Sequence, residues 1–216
     1  MPGIDFFDID HTLTRRSSGG RFVVLAMRRG ILPLYLVFII PWYSLMYRLG
    51  LFRLRVYADG FPYLRDIPRA RLEQISRESF ATRLRGDLFP AGVSLVQKLQ
   101  REGRRVMLAT SSIDFIVAPL AEHMGISGVL ATTLEFKDGI CTGKFIGTPM
   151  FRLKKRERVL AFLAAEGVSP GECSFYSDSI YDLPLLEAVG TPVAVNPDVR
   201  LRRIARGRGW TIIDLG

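Results

Sequence analysis

Two aspartates one residue apart, Asp8 and Asp10, close a hydrophobic run near the start of the chain, in FFDIDHTLT, residues 6 to 14. An unpaired carboxylate inside a buried strand costs several kcal/mol of desolvation on an order-of-magnitude view, so acids at a strand tip call for a counter-charge. A cation is one answer; a pair of acids that only caps the next turn is the other. A second acidic station lies in FYSDSIYDLPLLEA, residues 175 to 188, where Asp178 ends an apolar run and Asp182 follows at a helix start. Two strands ending in aspartates can converge on one Mg²⁺, an ion that takes a few carboxylates together with water and substrate phosphate. Asp182 alone would serve equally as an N-cap.

Two further stations carry groups that suit a phosphate. Thr110, Ser111 and Ser112 follow the apolar run VMLA, and hydroxyls with free backbone N–H groups at a strand-to-helix junction can hold phosphate oxygens. The same residue types also cap helices. Lys154 and Lys155 open a helix, where cations oppose the macrodipole, a small cost that a phosphate ligand would offset. Spacing to the downstream AFLAAEG favours Lys155 over Lys154 as the inward-facing one.

These stations need elements to bring them together. Ile4, Phe6, Phe7 and Ile9 predict a short buried strand with the acids at its carboxyl end. From residue 87 onward, helices are predicted over 91–102, 115–124 (closed by Gly125), 154–166, 183–189 and 199–206, and strands over 105–109, 173–177, 192–195 and 211–213. LEFKDGICTGKF predicts a hairpin turning at Asp138-Gly139. Strands alternating with helices imply an α/β fold with a doubly wound, mostly parallel sheet, whose ligands bind at the carboxyl ends of the strands. Residues 15–86 break the alternation, hold no convincing strand and look helical. They are read as a cap inserted into a core made of 1–14 and 87–216.

The bulk numbers set bounds. A chain of 216 residues with 48% hydrophobic residues makes one medium domain with an insertion, and its net charge of +9 is mostly arginine. That balance favours anionic partners such as phosphorylated molecules or an acidic lipid surface. No nucleic-acid-binding motif accompanies it, so nucleic acid is not expected as a partner. Two cysteines, Cys141 and Cys173, are too few for a disulfide framework and point to a reducing compartment. The N-terminus lacks the pattern of a secretory leader, and a cytoplasmic location is expected.

Taken together, D-x-D-x-T, a strand-end Thr or Ser, a lysine and D-x-x-x-D resemble the four-part signature of the haloacid dehalogenase (HAD) superfamily. FFDIDHTLT, SIDFIVAPLAEHMG and YSDSIYDLPLLEAVGTPVAVNPD are similar to its phosphoserine-phosphatase-like subfamily IB. The resemblance implies a Rossmann-like core with a C1-type helical cap, and an Mg²⁺-dependent phosphomonoester hydrolase. It implies that Asp8 attacks phosphorus to form an aspartyl-phosphate. Asp10 would protonate the leaving group and then activate water. Asp8 and Asp178, with the main-chain carbonyl of Asp10, would bind Mg²⁺. Thr110, Ser111 and Lys155 would hold the phosphoryl oxygens, and Asp182 would orient the metal site or the lysine from behind.

The substrate is read from the cap. Phosphoserine phosphatases carry a glutamate where this chain has Ser17, and favour Ser-Gly-Gly where it has Thr110-Ser111-Ser112, which argues against phosphoserine. The run from 30 to 47 holds no charge and is flanked by arginines. As a helix it would reach about 27 Å at about 1.5 Å per residue, marginal for a bilayer, and Pro33 and Pro41 weaken it further. A single crossing would also put Asp8 and Thr110 on opposite sides of the membrane. What remains is a buried cap helix, a re-entrant hairpin or an interfacial segment. Trp42, Tyr43 and Tyr47 suit an interface and a packed cap almost equally, and the length of the uncharged run tips the reading to the membrane. The expectation is a lipid phosphate such as phosphatidylglycerophosphate, as in the phosphatidylglycerophosphatase C type of that subfamily. Arg15 and Arg16 would reach the head group, and the enzyme would sit peripherally on the anionic inner face of the membrane. The alternative is a soluble small-metabolite phosphatase acting on phosphoserine or a related phosphorylated alcohol.

Overall fold

The computed structural model describes residues 3–36 and 60–215. Among them, six strands form one parallel sheet: β1 (Ile4–Phe7), β2 (Arg105–Ile113), β3 (Gly128–Thr132), β6 (Ser174–Ser177), β7 (Thr191–Val195) and β8 (Thr211–Ile213), in the order β3-β2-β1-β6-β7-β8. The chain builds outward from β1 on one side, then restarts at β6 on the other. The reversal lies between β1 and β6, and a crevice at their carboxyl ends is where such sheets bind ligands. The α/β, doubly wound arrangement predicted from the sequence is the one observed.

Side-chain alternation explains the two-sided core. Phe7, Val106, Leu108, Tyr176 and Val193 face one layer, where α3 (Pro90–Arg101) and α4 (Asp114–His123) add Val96, Leu99, Val117 and Leu120. Phe6, Met107, Ala109, Phe175 and Ala194 face the other, covered by α5 (Leu153–Glu166), α6 (Leu183–Leu186) and α7 (Val199–Arg208). Successive residues on a strand point to opposite faces, so a strand buried on both sides is a continuous apolar run. Asp5 is the exception on β1. It is buried, and the Arg104 guanidinium binds it through both carboxylate oxygens.

A third apolar cluster lies apart from both faces. It joins α1 (Ser18–Arg28) through Phe22 and Leu25, α2 (Arg69–Thr82) through Leu72 and Ile75, and the start of α4 through Phe115 and Ile116. The hairpin β4 (Leu134–Lys137) and β5 (Ile140–Phe145) turns at Asp138 and Gly139, both with positive φ, as the sequence predicts. It forms its own two-stranded sheet and hydrogen-bonds to residues 61–69, not to the six-stranded sheet: Phe61 N donates to Gly143 O, and Cys141 N to Ile67 O.

Several expected boundaries move. Strand β2 runs to Ile113, past the expected end at Ala109, with a register shift against β3 between Ala109 and Ile113. Thr110, Ser111 and Ser112 are therefore strand residues, not the start of a helix. The helix expected over 183–189 ends at Leu186, because the chain turns at Gly190 into β7, where an added Cβ would sit 1.8 Å from Gly171 O. Between β1 and β2 the described regular elements are all helical. Of the apolar run 30–47, residues 37–47 lie outside the described residues, and with them Phe38 and Trp42. No described helix is long and apolar enough to cross a membrane.

Candidate active site

Asp8 leaves the carboxyl end of β1 with its N–H donating to Tyr176 O on β6 at 2.9 Å, so the backbone pairing of the two central strands fixes where its side chain starts. Lys155 comes from the first turn of α5 and is only 2% exposed. Its Nζ lies 3.0 Å from Asp8 Oδ1 and 2.8 Å from Asp182 Oδ2. Ser177, the last residue of β6, donates to the same Asp182 oxygen at 2.7 Å. Asp182 makes no side-chain cap to α6; its carboxylate is turned to the lysine instead. Lys154 is exposed and pairs with Glu157 at 2.6 Å, so of the two adjacent lysines the structure brings Lys155 to the acids.

Asp178 follows β6 directly. Its N–H donates to Thr12 Oγ1 at 3.0 Å, and that hydroxyl donates to Asp178 Oδ1 at 3.3 Å. Thr12 is fully buried and ties the loop after β1 to the loop after β6. Asp10 turns elsewhere. Its Oδ1 accepts from Ser18 N at 2.7 Å, and its Oδ2 accepts from Ser17 Oγ at 3.1 Å and Ser112 Oγ at 3.2 Å. The Asp10 carboxylate thus sits at the N-terminus of α1, where helix N–H groups favour an anion.

Thr110 is buried at the bulge of β2, its Oγ1 accepting from Ser112 N at 3.2 Å. Ser111 beside it is exposed, and its carbonyl accepts from Thr132 Oγ1 at 2.9 Å. Alternation along β2 puts Thr110 and Ser112 on the inner face and Ser111 outward, in the stretch where the strand shifts register against β3. Arg15 places its guanidinium 4.8 Å over the Phe89 ring, and Arg16 is exposed. Arg21 pairs with Asp87 through both nitrogens, at 2.6 and 2.8 Å.

The charges do not balance. Asp8 and Asp182 both pair with the one ammonium of Lys155, and Asp178 adds a third carboxylate that feels the charge of both acids. Burial pushes the Asp8 carboxyl up to about 7; Lys155 opposes the shift, while Asp182 and Asp10 add to it. Burial also holds Asp178 well above the usual carboxylate range, with Asp8 and Asp182 adding to it. Burial works against the charged form of Lys155, yet Asp182 and Asp8 outweigh it and hold the ammonium above its ordinary range. Among the described residues no three His, Cys, Asp or Glu side chains form a metal cage. Asp182 is taken up by Lys155 and Ser177, which leaves hard carboxylate oxygens on Asp8 and Asp178. That sparse donor set fits an ion such as Mg²⁺ that keeps water and substrate in its shell.

Sequence reasoning gives no duty to Thr12, Ser177 or Ser18, and reads Ser112 only as part of a phosphate-holding station, not as a partner of Asp10. Thr12 is visible as the last letter of D-x-D-x-T; the serines carry no pattern that separates them from ordinary caps.

The sequence model of the haloacid dehalogenase-like hydrolases matches residues 6–187. The chain belongs to that family. The HAD chain is 32% identical over 221 residues to a phosphoserine phosphatase of Mycobacterium tuberculosis, covering 97% of this chain and 70% of that one. It is 37% identical over 165 residues to a histidinol-phosphatase of Neisseria meningitidis, covering 72% and 74%. Among solved structures, a protein with unknown function from Bordetella pertussis matches with a TM-score of 0.89 and 32% identity over the full length of both. A substrate-bound phosphoserine phosphatase shares the fold at a TM-score of 0.71 and 18% identity, covering 99% and 93%. The subfamily expected from the motifs is the one these relatives represent, and this HAD chain is a phosphatase. The lipid phosphate expected from the apolar run finds no support among them, nor does the anionic membrane surface. They favour the alternative, a small phosphorylated metabolite.

Proposed function

We propose that this HAD phosphatase hydrolyses the phosphate monoester of a small soluble metabolite, of the amino-acid or amino-alcohol kind that phosphoserine and histidinol phosphate represent, through an aspartyl-phosphate on Asp8. The observation that carries the reading is a buried carboxylate at the β1/β6 reversal, hydrogen-bonded to Lys155, with Asp178 and Thr110 on the flanking loop and strand. Asp8 attacks phosphorus in line and becomes phosphorylated, its new O–P bond replacing the bond to the leaving alkoxide. Lys155 offsets charge on the phosphoryl oxygens from a fixed, desolvated position, and needs no reorganisation to do so. Thr110 offers a hydroxyl to the same oxygens, and exposed Ser111 offers its own at the rim. Asp10 gives a proton to the leaving oxygen, then takes one from the water that attacks the aspartyl-phosphate. Asp8, Asp178 and the Asp10 carbonyl would hold Mg²⁺, which supplies positive charge against the phosphoryl group. Asp182 keeps Lys155 in place. The core of 1–14 and 87–216 would carry the chemistry, and 15–86 would cover it, with the hairpin packed on the cap side. Arg15 and Arg16 are left to the cap's anionic-ligand side.

The test is Mg²⁺-dependent phosphate release from an aryl phosphate, lost in Asp8→Asn and on adding EDTA. Phosphoserine, histidinol phosphate and phosphatidylglycerophosphate in mixed micelles are then compared by kcat/KM. Higher kcat/KM on the micellar lipid than on either soluble ester would overturn the small-metabolite reading.

A further inference from the structure

The Asp10 carboxylate is held by donors from two parts of the fold. Ser17 and Ser18 stand at the N-terminus of α1, the first helix after β1, while Ser112 stands on core strand β2, 102 positions from Asp10 in sequence. The Ser18 and Ser112 hydroxyls are themselves 2.8 Å apart. Ser112 has one hydroxyl proton, and it points to Asp10 Oδ2, so within the serine pair Ser18 donates and Ser112 accepts. The result is a chain, Ser18 Oγ to Ser112 Oγ to Asp10 Oδ2, closed by Ser18 N on the other carboxylate oxygen. With both oxygens held, the carboxylate cannot rotate without breaking bonds on two elements. Ser112 reaches it because it follows Thr110 by two residues on β2 and shares its face, while Ser111 between them is exposed.

We infer that Ser112 is a positioning residue for the proton-transfer step: braced by Ser18, it fixes the direction of the Asp10 carboxylate and makes that direction depend on α1 being seated against β2. The inference rests on the reading of Asp10 as the proton donor to the leaving oxygen. It explains why Asp10, two residues from Asp8, does not join it as a side-chain ligand in the acidic cluster. The serine cradle keeps the two carboxylates in separate duties.

Leaving-group dependence tests this, because protonation matters for an alkoxide and little for a stable phenolate. In a two-step mechanism kcat/KM reports only the first phosphoryl transfer. Wild type, Ser112→Ala, Ser112→Thr and Asp10→Asn are compared on p-nitrophenyl phosphate and on the better of phosphoserine and histidinol phosphate, in Mg²⁺. Ser112→Ala is expected to lower kcat/KM about tenfold on the alkyl ester and by no more than about threefold on the aryl ester, the size of one lost hydrogen bond to a charged group. Ser112→Thr, which keeps the hydroxyl, is expected to restore the alkyl rate. Equal losses on both esters, or none on either, would overturn the inference while Asp10→Asn still shows a larger alkyl loss. If Asp10→Asn itself shows no difference between esters, the proton-donor reading falls and the inference with it. Should Ser112→Ala fold poorly, Ser18→Ala removes only the brace; the same but smaller alkyl-selective loss supports the inference, and its absence refutes it.

Discussion

A lysine buried as fully as Lys155 keeps its charge only if the surrounding charges outweigh its lost hydration. Desolvation is the largest single influence on it, yet the two carboxylates at 2.8 and 3.0 Å together win. Removing the ammonium reverses the argument, since Asp8 and Asp182 would then face each other without compensation. Lys155→Met is therefore expected to cost about 3 kcal/mol of stability, measured by urea denaturation, and to drop phosphatase activity by at least about 10³-fold; near-wild-type stability would contradict the ion-pair account. Thr12 acts through Asp178. Its hydroxyl accepts from the Asp178 N–H and donates to the carboxylate, so Thr12→Val keeps shape and loses both bonds. With Asp178 as the proposed Mg²⁺ ligand, about a tenfold rise in the Mg²⁺ concentration for half-maximal activity is expected.

At the level of elements, the β1/β6 pairing places the acids, and the hairpin places itself. Strands β1, β2 and β6 were legible in the sequence from the apolar residues that precede their polar ends: Ile4, Phe6 and Phe7, then Val106–Ala109, then Phe175 and Tyr176. The extension of β2 through Ile113 was not, because Thr110–Ser112 end the apolar run while the backbone continues to pair. The Asp138-Gly139 turn was legible from its residue types, but the partner of the hairpin was not. That partner is the segment around Gly60, whose φ is +91° and whose absent Cβ would lie 2.0 Å from Gly143 O. Both the backbone conformation and the contact exclude a side chain. Gly60→Ala should cost about 2 kcal/mol or more and lower the thermal midpoint by several degrees, whereas Gly86→Ala, with open space around its Cα, should not.

Across the whole molecule a net charge of +9 surrounds a centre with surplus negative charge. On the proposed function, the positive exterior would draw in a phosphate ester and the acidic centre the cation that accompanies it. Without the cation, three carboxylates share one ammonium, so the metal-free site is a source of instability. Asp8→Asn removes one of these charges. In EDTA it is expected to melt a few degrees above wild type while being inactive. Millimolar Mg²⁺ should raise the wild-type midpoint by several degrees and that of Asp8→Asn by much less. Differential scanning fluorimetry reads both, and an equal Mg²⁺ shift in the two proteins would remove Asp8 from the metal site.

Residue types and spacing alone determined the chemistry on offer: strand-tip acids, a hydroxyl station, a lysine at a helix start, and a parallel α/β frame to hold them. These are local properties, set by apolar runs that end in charge. Only the tertiary structure decided that Lys155 bridges Asp8 and Asp182, that Thr12 clasps Asp178, and that Asp10 turns to the serines of α1 and β2. Those facts depend on strand order, which brings residues 8, 112, 155 and 178 together across long stretches of chain. Thr12 looks like any turn threonine, and Ser112 like any cap, until the strand beside it is in place.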